Sequence, residues 1–81
     1  MKINQDKVDE MTLALLYLVM HLHQKGVGAR AWKSFDWETM DRLHDQGWIT
    51  DPKSKAKSVG VTEEGFQKAK AAFFKHFGIE E

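Results

Sequence analysis

The stretch from Phe35 to Gly65, FDWETMDRLHDQGWITDPKSKAKSVGVTEEG, constrains the fold more than any other part of the chain. It opens with Asp36, whose side chain can accept hydrogen bonds from the free amides of a first helical turn. Gly47 can end that helix in the left-handed conformation. These two signals predict a helix from about Trp37 to Gln46.

Two short apolar segments follow this helix and predict a two-stranded antiparallel hairpin. The first is Trp48–Thr50 and the second is Ser58–Val61, whose valines alternate onto one face. Asp51-Pro52 opens the connection between them, because proline presets the backbone dihedral that a type I turn needs. The connection also carries three alternating lysines: Lys53, Lys55 and Lys57.

A first helix is predicted from about Gln5 to Lys25, capped by Asn4 and ended by Gly26. Apolar residues at spacings of three and four form one stripe along it: Val8, Met11, Leu15, Leu18 and Leu22. Further apolar residues lie around the cylinder, so the helix needs cover on most sides. One interpretation is a central core helix. The alternative is a homodimer face at Leu13, Leu16, Tyr17 and Met20.

A third helix is predicted from about Glu63 to Phe77, with Thr62 as its cap and Gly78 at its end. Residues 27–34, between the first two helices, are predicted to be a connector with one or two helical turns, because glycines disfavour a long helix there. The tryptophans are interpreted mainly as core residues, with interaction hot spots as the alternative. With 81 residues, the chain has room for one domain, residues 1–81.

The order of these elements is that of a winged helix. Met40–Ile49 resembles the end of a recognition helix entering the first wing strand, and Val59–Gly65 resembles the second wing strand entering the last helix. Through Arg30–Trp37 and Lys55–Ser58 the chain is also similar to a small bacterial family known only as a domain of unknown function. The resemblance implies a winged-helix-like α+β fold, with three main helices and a two-stranded antiparallel wing, and no established activity.

Charge is balanced overall but unevenly distributed. The chain has 12 basic and 12 acidic residues, so its formal net charge is zero. In a winged helix the recognition helix lies in the major groove and the wing contacts the DNA beside it. The resemblance therefore implies nucleic-acid contacts from Arg30, Lys33, Arg42, Lys53, Lys55 and Lys57.

The second helix opposes this interpretation because its carboxylates would repel phosphate groups. It carries four acidic residues against Arg42 alone: Asp36, Glu38, Asp41 and Asp45. The lysine-rich connection also has a structural explanation, since exposed lysines protect a sheet edge from pairing with other chains.

No enzymatic activity, cofactor, metal site or small-molecule ligand is predicted. The chain has no cysteine, which excludes disulfides and thiolate chemistry. No serine lies in a nucleophile elbow, and the glycines lack a phosphate-binding pattern. His21 and His23 would point about 200° apart on a helix, so they could not share an ion. Weak chelation by Asp41, His44 and Asp45 is the alternative.

The sequence therefore favours a non-enzymatic interaction module whose partner is a second copy or another protein. The alternative is a transcription-regulator-like DNA-binding protein that uses the basic wing. A cytoplasmic location is expected, because Met1-Lys2-Ile3 leads directly into a capped helix and not into a signal peptide. No membrane association is expected, since the apolar run Met11–Leu22 is shorter than the roughly 20 residues that cross a bilayer.

Overall fold

A computed structural model describes residues 1–53 and 56–79 of the chain. Over these residues the chain forms an α+β fold with three helices and a three-stranded antiparallel sheet of strand order β1-β2-β3. A 3₁₀ turn at Tyr17–Val19 joins the first helix to the first strand. In chain order the elements are α1 (Gln5–Leu16), β1 (Met20–Gln24), β2 (Gly28–Trp32), α2 (Trp37–Asp45), β3 (Ser58–Thr62) and α3 (Glu63–Phe77).

The predicted helix starts are confirmed. The side chain of Asn4 accepts a hydrogen bond from a backbone N–H in the first turn of α1 at 3.1 Å. Asp36 and Thr62 do the same in α2 and α3, at 3.1 and 2.9 Å. Each cap satisfies an amide that has no partner within its helix. No helix in the described part of the chain has the length and apolarity that a bilayer crossing requires.

The prediction of the first helix is wrong beyond Leu16. The chain leaves the helix through the 3₁₀ turn and enters β1, although the apolar spacing of three and four continues to Leu22. The strand forms because it pairs with β2, which places Met20 opposite Ala31. Gly26, at φ 82°, lies in the turn of the β1–β2 hairpin and not at a helix end.

The predicted connector at residues 27–34 is also wrong, because it contains β2, the central strand. β2 pairs with β3 over its full length, from Gly28 opposite Thr62 to Trp32 opposite Ser58. Gly28 has φ 131°, and a Cβ at this position would overlap the carbonyl oxygen of Val61. Glycine therefore permits the close approach of the two backbones.

The structure has the three-stranded sheet β1-β2-β3 and not the predicted two-stranded wing. Residues 48–50 do run antiparallel to β3, and the N–H of Thr50 donates to the carbonyl of Gly60 at 2.8 Å. They form one isolated bridge, Ile49 opposite Val61, and not a full strand. The difference arises because β3 has its main partner in β2, far away in sequence.

The core lies between the helices and one face of the sheet. Alternate residues of β2 and β3 point into it: Ala29, Ala31, Val59 and Val61. The helices add Leu13, Leu16, Met40, Leu43 and Ala69. Trp48 packs against this core, whereas Trp32 and Trp37 are exposed, so the prediction of three core tryptophans holds for Trp48 alone. The other tryptophans lie where the outer face of the sheet leads into α2.

The edge strand β1 is irregular. Leu22 and His23 oppose the single residue Ala29, which is the arrangement of a β-bulge. Leu22 has φ 55°, in the left-handed region that leucine rarely adopts. The bulge lies on the strand whose second edge is unpaired among the described residues.

Candidate functional site

The four residues of the predicted dimer face do not form an exposed surface. Leu13 and Leu16 are buried in the core, and Tyr17 and Met20 are partly buried against it. This prediction is wrong because α1 turns that side of its cylinder toward the other helices and the sheet. α1 and α3 pack along each other, and α2 also contacts α1.

The outward side of α1 instead carries part of the stripe that the spacing of three and four defines. Val8 and Leu15 of α1 are exposed, and so is Leu18 in the 3₁₀ turn that follows, by 64%. On the neighbouring α3, Phe74 and Phe77 are exposed as well, Phe74 by 55%. We call these five side chains the helix-layer surface. Spacing alone identified the stripe on α1, but it could not show which side of the helix the core covers.

Aromatic contacts join the two helices beside this surface. The ring of Tyr17 lies 5.3 Å from that of Phe73 and 6.1 Å from that of Phe74, measured between centroids. Phe73 contacts Phe77 at 5.4 Å. Such aromatic pairs contribute about 0.5–1.5 kcal/mol beyond the area that they bury. The helix-layer surface therefore lies beside a cluster of packed aromatic rings, in which Tyr17 also packs against the core.

The chain exposes more surface than a compact monomer of its mass. A monomer of 9.4 kDa is expected to expose about 5,000 Å², whereas this chain exposes 5827 Å². Met1 and Ile3 account for part of the difference, because both are exposed near the amino end. The flat shape, with principal extents of 38 × 37 × 18 Å, also contributes, since a flat body has more surface for its volume.

The two arginines among the predicted nucleic-acid contacts lie in different layers. Arg30 is on the outer face of the sheet, where its guanidinium donates to the hydroxyl and carbonyl oxygens of Ser58 at 2.7 and 3.0 Å. Arg42, on α2, pairs with Asp9 of α1 at 2.8 Å. The hydrogen bond to Asp9 raises the pKa of Arg42 above its ordinary value. The two arginines therefore do not serve one common surface.

The predicted lysines surround the connection between α2 and β3. Lys53 and Lys57 are exposed, and Lys55 lies outside the described residues. The ammonium of Lys33 donates to the carbonyl of Pro52 at 2.8 Å. The backbone N–H of Lys33 also donates to the carbonyl of Lys57 at 3.3 Å, so the structure brings these two lysines side by side.

α2 keeps the acidic character that its sequence gives it. Glu38, Asp41 and Asp45 make no ion pair with any other described residue. A cleft of about 380 Å³ beside α2 is lined by Asp41, His44, Asp45, Asp51 and Lys53. Across residues 1–53 and 56–79, no three histidine, aspartate or glutamate side chains are arranged to hold a metal ion.

Glu10 links α1 to α3. Its carboxylate accepts a hydrogen bond from Nε2 of His76 and lies 3.6 Å from the ammonium of Lys75 and 3.8 Å from that of Lys7. The hydrogen bond from His76, with the charges of these lysines, lowers the pKa of Glu10 below its ordinary value of 4.5, although partial burial opposes the shift. Glu10 and Lys75 face a cleft of about 400 Å³ between the two helices.

Glu63 links the β1–β2 hairpin to the start of α3. Its carboxylate accepts hydrogen bonds from the side chains of Gln67 and His23, at 2.9 and 3.0 Å, and from the N–H of Gly26, at 3.1 Å. The bonds from Gln67 and His23 are the main causes that lower the pKa of Glu63. The ring of His23 also stacks on Phe66, with centroids 3.6 Å apart. Sequence reasoning missed this link because it placed His23 on a helix.

One known protein and one family model match the chain over nearly its whole length. The uncharacterised protein y4hR of Sinorhizobium fredii is 44% identical over 77 residues, which cover 95% of this chain and 97% of that protein. No solved structure matches the chain significantly. A family model described as "Domain of unknown function (DUF6429)" matches residues 4–79. The predicted resemblance to an uncharacterised family is confirmed, and the chain belongs to the DUF6429 family.

Proposed function

We propose that the chain is a small, non-enzymatic interaction module whose partner is a second copy of itself. The observation that carries the proposal is the helix-layer surface, which exposes five large apolar side chains on α1, on the 3₁₀ turn that follows it and on α3. Soluble monomers rarely leave a large apolar patch in water, because its hydration is unfavourable. A partner that covers this surface would remove that cost.

A second copy fits the surface better than a charged partner does. The net charge is zero, so two copies do not repel each other at long range. The exposed residues of α1 follow helical spacing, which lets two α1 helices pack across a two-fold axis.

Sedimentation equilibrium over a range of concentrations tests the proposal. We expect a mass near twice 9.4 kDa at high concentration, with dissociation on dilution. Leu18→Glu would place a charge in the middle of the interface, which should raise the dimer Kd about a hundredfold or more. Because Leu18 is 64% exposed in the monomer, its replacement should leave the circular dichroism spectrum unchanged.

Val27→Glu is the matched control, since Val27 is an exposed aliphatic residue in the β1–β2 turn, outside the helix-layer surface. This variant should associate as the wild type does. A monomeric mass at every concentration would contradict the proposal, and so would equal weakening by the two substitutions.

Duplex DNA binding by a winged-helix-like protein is the second function that the sequence favours. It rests on the resemblance of the α2–β3 region and on the exposed Lys53 and Lys57. The geometry favours it less, because Arg42 pairs with Asp9 and because the described carboxylates of α2 would face the phosphates. Salt-sensitive duplex binding that Lys53→Glu and Lys57→Glu weaken would support this function instead.

A further inference from the structure

A second surface, distinct from the helix-layer surface, lies where β2 leads into α2. Trp32 and Trp37 are 52% and 62% exposed there. Tryptophan is usually far more buried, so two exposed indoles in one region are unusual. They border an open cleft of about 420 Å³, within the range of about 300–1,000 Å³ that ligand sites occupy. The cleft is lined by Trp32, Lys33, Ser34, Phe35, Trp37 and Lys57.

Contacts around the cleft hold its walls in place. The indole of Trp32 packs against the ring of His21, with centroids 5.3 Å apart and planes inclined by 32°. Trp32 is also the last residue of β2 and pairs with Ser58 of β3. The backbone hydrogen bond from Lys33 to Lys57 continues this pairing by one residue. The wall that Trp32, Lys33 and Lys57 form therefore needs little ordering when a ligand binds, which favours binding.

The cleft is lined by basic and not by acidic side chains. Two of its described lining residues are lysines, and none carries a carboxylate. Asp36 is close in sequence, but its carboxylate accepts hydrogen bonds from the N–H and hydroxyl of Thr39, at 3.1 and 3.0 Å, at the start of α2. On the adjoining face of the sheet, Arg30 donates to Ser58 and has no carboxylate partner among the described residues.

We infer that this cleft binds single-stranded nucleic acid, with bases stacked on Trp32 and Trp37 and phosphates close to Lys57 and Arg30. Every base has a flat face on which an indole can stack, and every phosphate supplies a negative charge for a nearby cation. In a duplex the bases are stacked on one another, so their flat faces are not accessible to an indole ring. The occupant is therefore a single strand of DNA or RNA, which share this chemistry.

Fluorescence anisotropy with labelled oligothymidylate and oligouridylate of about 15 nucleotides tests the inference. We expect at least one of them to bind, with an affinity that falls as salt rises. Trp32→Ala and Trp37→Ala should each weaken binding about tenfold, because each removes one stacking surface. Lys57→Glu should weaken binding and also reduce its dependence on salt. The relative affinity of the two oligonucleotides shows whether DNA or RNA is preferred.

Lys70→Glu is the matched control, because Lys70 is an exposed lysine on α3 that does not line the cleft. It should bind as the wild type does. Trp32→Phe and Trp37→Phe keep a ring and should retain most of the affinity, which keeps the test informative if an alanine variant misfolds. The inference is overturned if neither oligonucleotide binds, if the tryptophan variants bind as tightly as the wild type, or if a duplex of equal length binds more tightly.

Discussion

Gly65 brings the start of α3 against the segment that follows α2. A Cβ at this position would overlap the backbone carbonyl of Trp48. That same carbonyl accepts a hydrogen bond from the N–H of Thr62 at 3.0 Å. Thr62 in turn caps α3 through the N–H of Gly65 at 2.9 Å. The absence of a side chain at one residue therefore lets a helix start, a cap and a backbone contact coincide.

Gly65→Ala is expected to destabilise the fold, although alanine is the better helix former. Helix propensity alone would favour alanine by about 1 kcal/mol. The overlap with a backbone carbonyl should reverse that sign, because neither backbone can move without losing hydrogen bonds. We expect the free energy of unfolding to fall by about 2 kcal/mol or more, measured by urea denaturation.

Gly47→Ala provides the comparison. Gly47 has φ 79°, but no atom lies within 4 Å of a Cβ at that position. Its replacement should cost only the strain of a left-handed residue, about 1 kcal/mol. Equal losses at the two glycines would show that crowding at Gly65 is unimportant.

At the level of the elements, the contact between α1 and α3 should depend on pH through Glu10. Its pKa is lowered in the folded chain by the hydrogen bond from His76 and by nearby lysines. A carboxyl with a lowered folded pKa stabilises the fold above its ordinary pKa of 4.5 and loses this effect as pH falls through the folded value. We therefore expect the free energy of unfolding to decrease below about pH 4.5, as urea denaturation at several pH values would measure.

Two variants separate the sources of this decrease, because the pKa of Glu63 is lowered as well. Glu10→Gln should retain only the part that comes from Glu63, and Glu63→Gln should retain only the part that comes from Glu10. If Glu10→Gln unfolds with the pH dependence of the wild type, the link between α1 and α3 does not contribute as proposed.

α2 and α3 were predictable from the sequence because their signals are local. Asp36 and Thr62 each act within one helical turn, so a few neighbouring residues suffice to identify them. The strands β1 and β2 depend on partners elsewhere in the chain: Ala31 pairs with Met20 on one side and with Val59 on the other. A helical spacing that continues to Leu22 concealed the first strand, since no local pattern reports a distant partner.

The candidate surfaces were predictable only in part, for the same reason. Leu15 and Leu18 were identified as members of a stripe, but the sequence could not show that the core covers the other side of α1. Trp32 and Trp37 are of a residue type that is usually found in cores. Trp32 is exposed because Ala29 and Ala31 are the side chains of β2 that face the core, so Trp32 lies on the opposite face, and Trp37 is exposed at the start of α2. The lysines of the connection were identified from the sequence, whereas the approach of Lys33 to Lys57 required the β2–β3 register.

At the scale of the whole molecule, the fold has two layers, one of helices and one of sheet, and each layer carries one of the two candidate surfaces. It measures 38 × 37 × 18 Å, so one helical layer and one sheet make up its full thickness. The helix-layer surface belongs to the helical layer, and the cleft that Trp32 and Trp37 border adjoins the outer face of the sheet. A dimer formed through the helices would leave two clefts free to act on one strand, which raises its apparent affinity.

Dimer formation should make thermal stability depend on protein concentration. When folding is coupled to dimer formation, a higher protein concentration favours the folded dimer and so increases its free energy of unfolding. For a dimer of chains this size, a tenfold increase should raise Tm by about 4 °C. Circular dichroism melts at two or more concentrations would measure the shift, and Leu18→Glu should abolish it. A wild-type Tm that is independent of concentration would contradict pairing.

The bulge in β1 has a consequence for how copies of the chain can assemble. An unpaired strand can act as a template on which further chains add without limit, as in fibrils. The extra residue at Leu22 interrupts the regular spacing of the free N–H and C=O groups along β1. A further strand therefore cannot form a continuous row of hydrogen bonds with this edge. Ile49 already occupies part of the opposite edge, beside Val61. Neither edge of the described sheet therefore offers a regular ladder to a further chain, which disfavours polymerisation through the sheet.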